Sequence, residues 1–376
     1  MSNVKRNDVR EPLVHLSKRA SIDPVKAWAI RLIAIVLGLI ICGLVAFLLI
    51  EKLNQNPGRI GDFYEAFIRG SFSTSRKLWK FLKNVAILLC ISLALTPAFR
   101  MRFWNIGGEG QTLVSVLGAI AVDFYLGGKV PEWLLLILMF IAALLAGAVW
   151  GVIPALFRAK WGTNETLFTL MMNYVATFLV SYFLVIWVPS GSSSLGKLKY
   201  GKLPQIYNEH LLIVLIILLL TVGLYIYLNY TKHGYEISVV GESVRTAQYV
   251  GINERKVIIR TMILSGALCG LAGYLIAAGA DQTVTTNSAG GQGFTGILVA
   301  WLGKFNPLVM ILTAALIQLL NQGAGQISQD FSVNNSLPNV IVGIVLFFLI
   351  GAEFFISYEI HFRGHAHRTA ERRAVK

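Results

Sequence analysis

Apolar runs of about 20 residues recur along nearly the whole chain, and no other feature restricts its fold so strongly. A run of that length crosses a hydrocarbon core of about 30 Å, where backbone N–H and C=O groups find no water. Each run must therefore satisfy its own backbone, which makes it a helix. The clearest runs lie near residues 27–50, 84–101, 133–157, 166–188, 211–230, 258–280 and 336–358. Shorter or glycine-interrupted ones lie near 112–126, 294–303 and 307–323. The expected fold is an all-α polytopic membrane protein of about ten transmembrane or re-entrant helices. Only 14% of the residues are charged, and no segment between the runs is long enough for a soluble domain. The chain divides into a basic tail at 1–26, a membrane domain at 27–360 and a second basic tail at 361–376.

Lysine and arginine near span ends are retained on the cytoplasmic side. An even number of spans with both termini inside keeps most of the 33 basic residues there, including Lys5, Arg6, Arg10, Arg363, Arg368 and Arg372. The first run lacks a small-residue cleavage site near its end, so it is read as a retained span. The 51–83 segment, with Arg59, Arg69, Arg76, Lys77, Lys80 and Lys83, runs against the rule. Its apolar positions Ile60, Phe63, Phe67, Ile68 and Phe72 suggest an interfacial helix. The net charge of +14 is then mostly topogenic. Contact with membrane lipid is expected, and no soluble basic face exists for nucleic acid.

Cys42, Cys90 and Cys269 are isolated within apolar runs, and all six histidines lie in loops or tails. Neither a metal site nor a cofactor is called for. An intramembrane enzyme would lack both a membrane-embedded histidine and a Ser/His pair. Each Gly-Lys pair, such as Gly128-Lys129 and Gly303-Lys304, lacks the preceding phosphate loop and the following Ser or Thr, so nucleotide hydrolysis would need another subunit.

One pattern occurs twice: G-G-E-G at 107–110 and G-G-Q-G at 290–293, each after a long span and before an unusually short one. On the expected topology the two follow spans of opposite direction, the arrangement of inverted repeats whose broken helices point toward a transport route. Asn105, Glu109 and Gln111 flank the first copy; Asp281, Gln282, Asn287 and Gln292 flank the second. Uncompensated polar groups at membrane depth are costly, so their clustering favours a polar route over two plain turns. At a membrane boundary Glu109 would serve structure or gating; deeper, it needs a partner or water. A third cluster, Thr163, Asn164, Glu165, Thr169 and Asn173, follows a short turn. Thr163 or Asn164 with Glu165 suits a helix start, whereas Asn173, four residues after Thr169 on one face, has no capping role.

The largest loop placed inside, about 231–257, contains "GESVRTAQYVGINERKV". Glu242 to Tyr249 can form two helical turns ended by Gly251, and Ala247, Val250 and Ile252 make a small apolar face. A solvated linker and a docking helix both fit.

"NIGGEGQ" (105–111), "GTNETLFTLMMNY" (162–174), "VGINERKV" followed by "SGALCGLAG" (250–273), and "GQGFTGILVAWLGKFNP" (291–307) together resemble the permeases of bacterial ABC importers of the branched-chain amino acid and simple sugar type. They look most like the nucleoside-importer branch, whose binding lipoproteins are of the basic membrane protein class. Trp104, Lys304 and Cys269 stand where that family more often has Phe, Arg and Ala. The resemblance implies a permease subunit of the bacterial cytoplasmic membrane, paired with a second, non-identical permease. It implies also a separate ABC ATPase and a substrate-binding lipoprotein. Glu242, Ser243, Ala247, Gly251 and Ile252 would then belong to a coupling helix docked on the ATPase. Amides and hydroxyls of Asn105, Gln111, Asn164, Asn173 and Gln292, with Glu109 beside them, could line a pathway for nucleosides. Phe103, Trp104, Phe168 or Phe294 could stack on a base, or simply pack. A simple sugar or other small solute is the alternative cargo. An ion-coupled secondary transporter is the alternative mechanism, using Glu109, Glu165, Asp281 or Glu353.

Overall fold

The computed structural model describes residues 14–19, 22–50, 57–188, 194–334 and 336–362. Most of the two basic tails lies outside the described residues. In chain order the elements are β1 (Val14–Lys18), α1 (Pro24–Leu49), α2 (Ile60–Phe72), α3 (Ser75–Arg100), α4 (Gly108–Leu126), α5 (Glu132–Trp161) and α6 (Glu165–Trp187). They continue with α7 (Leu211–Tyr230), α8 (Lys232–Glu242), α9 (Val244–Tyr249) and α10 (Glu254–Leu275), which runs on into a π-helical turn at Ile276–Ala280. The chain closes with α11 (Gln292–Leu302), α12 (Pro307–Phe331), α13 (Ser336–Ser357) and β2 (Tyr358–Phe362). Among the described residues eight helices are long and apolar enough to cross a membrane: α1, α3, α5, α6, α7, α10 with its π-turn, α12 and α13. The glycine-led α4 and the 11-residue α11 bring the apolar helices to the expected count of about ten. The short run read at 307–323 belongs to a full-length helix, α12.

Polar residues at helix starts account for many of these boundaries. Asp23, Thr74, Asn164, Thr231, Ser243 and Asn253 each accept a backbone N–H from the first turn of the helix that follows. Those amides have no intrahelical acceptor, so the side chains fix where each helix begins. Gly162, at φ 65°, ends α5 in the left-handed region and makes the short turn into α6.

The chain forms two compact units. One comprises Met1–Ala66 with Ala324–Lys376. In it α1 packs along α13, with a Cβ at Gly38 falling 3.2 Å from the Val345 Cα. The Arg31 Nε donates to Glu353 Oε1 at 2.6 Å. β1 and β2 pair antiparallel, Leu16 opposite Ile360.

The second unit, Phe67–Gly323, carries the glycine breaks. α3 and α10 are buried along most of their length, whereas only about a quarter of α5, α6 and α7 is fully buried. Lipid removes the hydrophobic drive for helix association, so close backbone packing must supply it. At the α5–α10 crossing Gly147 and Gly151 face Gly266 and Gly270. A Cβ on Gly270 would lie 2.6 Å from the Ala143 carbonyl oxygen and one on Gly151 2.9 Å from that of Met262. Larger residues would force these helices apart. The crossing holds Ser265, on α10, beside the first glycine break.

Candidate functional site

The first break begins where α3 ends. Arg102 takes φ 58°, the chain leaves the helix, and residues 103–107 run without regular structure to the start of α4. Asn105 is wholly buried. Its Oδ1 accepts from Gly107 N at 3.0 Å and from Gln111 Nε2 at 3.2 Å, and its Nδ2 donates to Ser265 Oγ at 3.2 Å. Asn173 grips the same segment from α6. Its Oδ1 accepts from Gly110 N at 2.9 Å and its Nδ2 donates to the Ile106 carbonyl at 3.0 Å. Thr169 Oγ1 lies 3.1 Å from Ile106 N and accepts from it. A non-helical backbone surrounded by protein is thus satisfied by side chains, the condition for its survival at membrane depth.

The second break meets the first. Gly290 and Gly291 take φ 60° and 72°, in the left-handed region, and α11 then starts at Gln292. Glu109, in the first turn of α4, accepts from Gly291 N through Oε1 and from Gly293 N through Oε2, both at 2.7 Å. A carboxylate so placed satisfies two amides without intrahelical partners and opposes the positive end of the helix dipole. A Cβ on Gly293 would collide with Glu109 N and stand 2.6 Å from Glu109 Cα, so glycine is needed there for the approach itself. The two G-G-x-G motifs, 182 positions apart along this bond, form one site.

The other candidates are distributed around that contact. Asn164 caps α6, accepting from Leu167 N at 3.1 Å. Gln292 has a buried Oε1 without a hydrogen-bond partner among the described residues. Phe294 is 44% exposed. Of the aromatics considered for stacking, Phe103 is buried in the core and Phe168 lies against Phe157, ring centres 4.9 Å apart. Trp104, 42% exposed, lies against Phe99 and Trp301, ring centres 5.7 and 5.6 Å away. The carboxylates considered for ion coupling are all engaged. Glu165 pairs with Arg158 at 3.3 Å, Asp281 with Lys83 at 3.5 Å and Glu353 with Arg31, while Glu109 holds α11.

The loop near 231–257 forms two helices, not one. α8 ends at Glu242, and Ser243 caps α9 by accepting from Thr246 N at 3.2 Å. Glu242 therefore closes the preceding helix instead of opening the two-turn one, because Ser243 takes the extended backbone of a cap. Gly251 takes φ 81° beyond α9, as its position suggested. Ala247 is fully buried against its own chain, so it is closed to a partner; Val244, Tyr249 and Val250 form the exposed apolar edge. Ile252 folds back, its N–H donating to the Ala247 carbonyl at 2.9 Å. Burial raises the pKa of Glu236, but the hydrogen bond and charge of Arg260, with Lys232 and His233 nearby, outweigh it and hold this carboxyl below its ordinary value.

Arg100 and Gly241 were missed from sequence. The Arg100 guanidinium donates to the Phe305 carbonyl at 3.1 Å and to Asn229 Oδ1 at 3.3 Å, gathering the ends of α3, α7 and the turn after α11. Gly241 of α8 packs directly on the Arg100 carbonyl, where a Cβ would collide. A continuous contact thereby runs from the α8–α9 hairpin through the end of α3 into the first break. An arginine at the end of a span ordinarily signals topology alone, which hid its role.

Residues 78–350 match the family described as "Branched-chain amino acid transport system / permease component". The guanosine ABC transporter permease protein NupP of Bacillus subtilis is 30% identical, over 89% of this chain and 94% of that protein. The glucose ABC transporter permease protein TsgB13 of Haloferax volcanii is 29% identical over 82% and 84%. The nucleoside ABC transporter permease protein NupB of Lactococcus lactis is 26% identical over 87% and 92%. The chain belongs to this family of ABC importer permease components, and the two joined glycine breaks lie within the region that the family covers.

Proposed function

We propose that the chain moves nucleosides across a bacterial cytoplasmic membrane, with both termini and the α8–α9 hairpin on the cytoplasmic side. A separate ABC ATPase supplies the energy, a second and non-identical permease completes the route, and a substrate-binding lipoprotein delivers the solute. The membrane domain is taken as 27–360 and its coupling loop as 231–257. The observation carrying this reading is the contact chain from Gly241 to Arg100, through the first break to Glu109, and on to α11. It gives an ATPase docked on the hairpin a packed route to the broken helices. Such coupling works only if the docked ATPase favours one arrangement of that chain over another.

In this reading Asn105, Glu109, Gln111, Asn164 and Asn173 build the pathway's wall by fixing backbone, while the exposed Phe294 faces the solute and the buried Gln292 oxygen becomes available to it when the pathway opens. A carboxamide oxygen free to accept suits a hydroxyl or an amino group, and an exposed ring suits a flat base. Two of the relatives above are named for guanosine or nucleosides, which favours nucleosides over the sugar that TsgB13 is named for. Glu242, Ser243, Gly251 and Ile252 frame the hairpin, and Val244, Tyr249 and Val250 dock. Ala247 supports them from inside.

The test is uptake of labelled guanosine and uridine into proteoliposomes holding this chain, its permease partner and the ATPase, with lipoprotein supplied. ATP-dependent uptake competed by nucleosides and not by glucose is expected. Uptake driven by an ion gradient without ATP would overturn the mechanism, and glucose uptake would transfer the cargo to the sugar reading.

A further inference from the structure

A recess of about 360 Å³ opens beside the α8–α9 hairpin, away from the glycine breaks. Three cations line it: Lys232 at the start of α8, Lys256 at the start of α10, and Arg260 one turn further on. Glu236 is the one carboxylate in its lining, and Arg260 Nη2 already donates to it at 2.8 Å. The His233 Nδ1 also approaches Glu236, at 3.8 Å. The charge of Lys232 also acts on Glu236, and with three cations against one carboxylate the recess carries two positive charges in excess. The Arg260 Nε is buried and finds no acceptor.

We propose that this recess is a phosphate-binding site. Two excess positive charges set around a concave space fit a small tetrahedral anion better than a flat protein face. Arg260, held in place by Glu236, would present its remaining donors in a fixed orientation, and the two lysines would act as point charges. Tyr235, more than half exposed at the rim, offers a ring surface to whatever the phosphate bears. The volume accommodates a mononucleotide as well as a lipid phosphate. The site adjoins the hairpin through Val250, Gly251 and Ile252, so its occupancy would bias the proposed coupling element.

The experiment titrates the full chain, purified in detergent, with inorganic phosphate and with adenosine monophosphate. In parallel the chain is incorporated in nanodiscs containing phosphatidylglycerol or phosphatidylcholine alone, and retained lipid is measured by native mass spectrometry. The variants are Lys256→Gln and Lys232→Gln/Lys256→Gln, with Lys256→Arg as the charge-preserving control and thermal melting as the check on folding. Saturable phosphate or mononucleotide binding, weakened roughly tenfold per lysine removed and kept in Lys256→Arg, would establish a soluble ligand. Selective retention of phosphatidylglycerol, lost in the double variant, would establish a lipid headgroup. Equal behaviour of folded wild type and double variant toward every probe would overturn the proposal. So would an unchanged phosphate response together with loss of ATPase co-purification, because the cations would then serve a protein partner. Neither overturning result touches the uptake reading, which rests on the contact chain from Gly241 through the glycine breaks to α11.

Discussion

The two glycine breaks share a spelling but not a physical basis. In the first, the glycines answer crowding: a Cβ on Gly110 would lie 2.8 Å from Asn173 Oδ1, and one on Gly108 3.0 Å from Leu95. Its polar side chains are engaged with backbone or with each other. In the second, Gly290 and Gly291 answer backbone conformation, with nothing within 4 Å of a Cβ on Gly291, and Gly293 alone answers crowding, against Glu109. Its own amide, on Gln292, leaves an oxygen unpartnered, and Phe294 is exposed. The third motif position decides the asymmetry. Glu109 of the first copy serves the amides of the second, and Gln292 returns nothing. One break is a packed socket, and the other is an open turn held by that socket's carboxylate.

The largest expected effect comes from destroying the contact that joins them. Gly293→Ala places its Cβ against Glu109 backbone, which cannot swing aside as a flexible side chain could. Overpacking of this kind costs about 1–3 kcal/mol or more, so ATP-dependent uptake should fall to background and the melting temperature should drop. Wild-type uptake in Gly293→Ala would show that the two breaks are not rigidly joined. Glu109→Ala comes next, because it strands two amides at about 1–3 kcal/mol each. Glu109→Gln keeps an acceptor and should recover part of the melting temperature. Equal losses in both variants would mean that charge, not hydrogen bonding, holds α11.

The distinction between crowding and conformation can be read from substitution order. Gly291→Ala should cost about 1–2 kcal/mol for its left-handed backbone, and Gly291→Asn less, because asparagine tolerates that region. At Gly110, where φ is not positive, alanine should be the milder choice and asparagine the worse, since space is what is lacking. Thermal melting of the four variants checks this. The same rank order at both sites would erase the contrast between them.

How much of this could be read beforehand divides along similar lines. Local features were legible: the apolar runs mark the spans, paired glycines mark the breaks, and Gly251 marks the end of α9. α12 was cut short because Gly325, Gln326, Ser328, Gln329 and Asp330 end its apolar run, although Ala324 and Ile327 are buried within the fold. The division at Ser243 was missed because a serine between two helical stretches is ambiguous until its φ and ψ are known. The polar residues around the first break suggested a wet route. What hydropathy cannot reveal is that Asn105, Gln111 and Asn173 spend their hydrogen bonds on a neighbouring backbone, on Ser265 or on one another. The burial of Ala247 is likewise a property of how the hairpin folds back, not of its own sequence.

The smallest expected structural effect, and the sharpest functional one, is at Gln292. Its oxygen has no partner to lose, so Gln292→Leu should leave the melting temperature within about 0.5 kcal/mol equivalent of wild type, or raise it slightly. If that buried oxygen meets the solute when the pathway opens, nucleoside uptake should nevertheless fall several-fold, with ATPase activity and assembly intact. Asn173→Ala supplies the opposite signature. It removes a side chain that clamps Gly110 and Ile106, so stability should fall by about 1–3 kcal/mol and uptake should follow stability. Measuring both variants side by side separates wall from lining. A Gln292→Leu protein that transports normally would make the second break a turn held by Glu109 and nothing more.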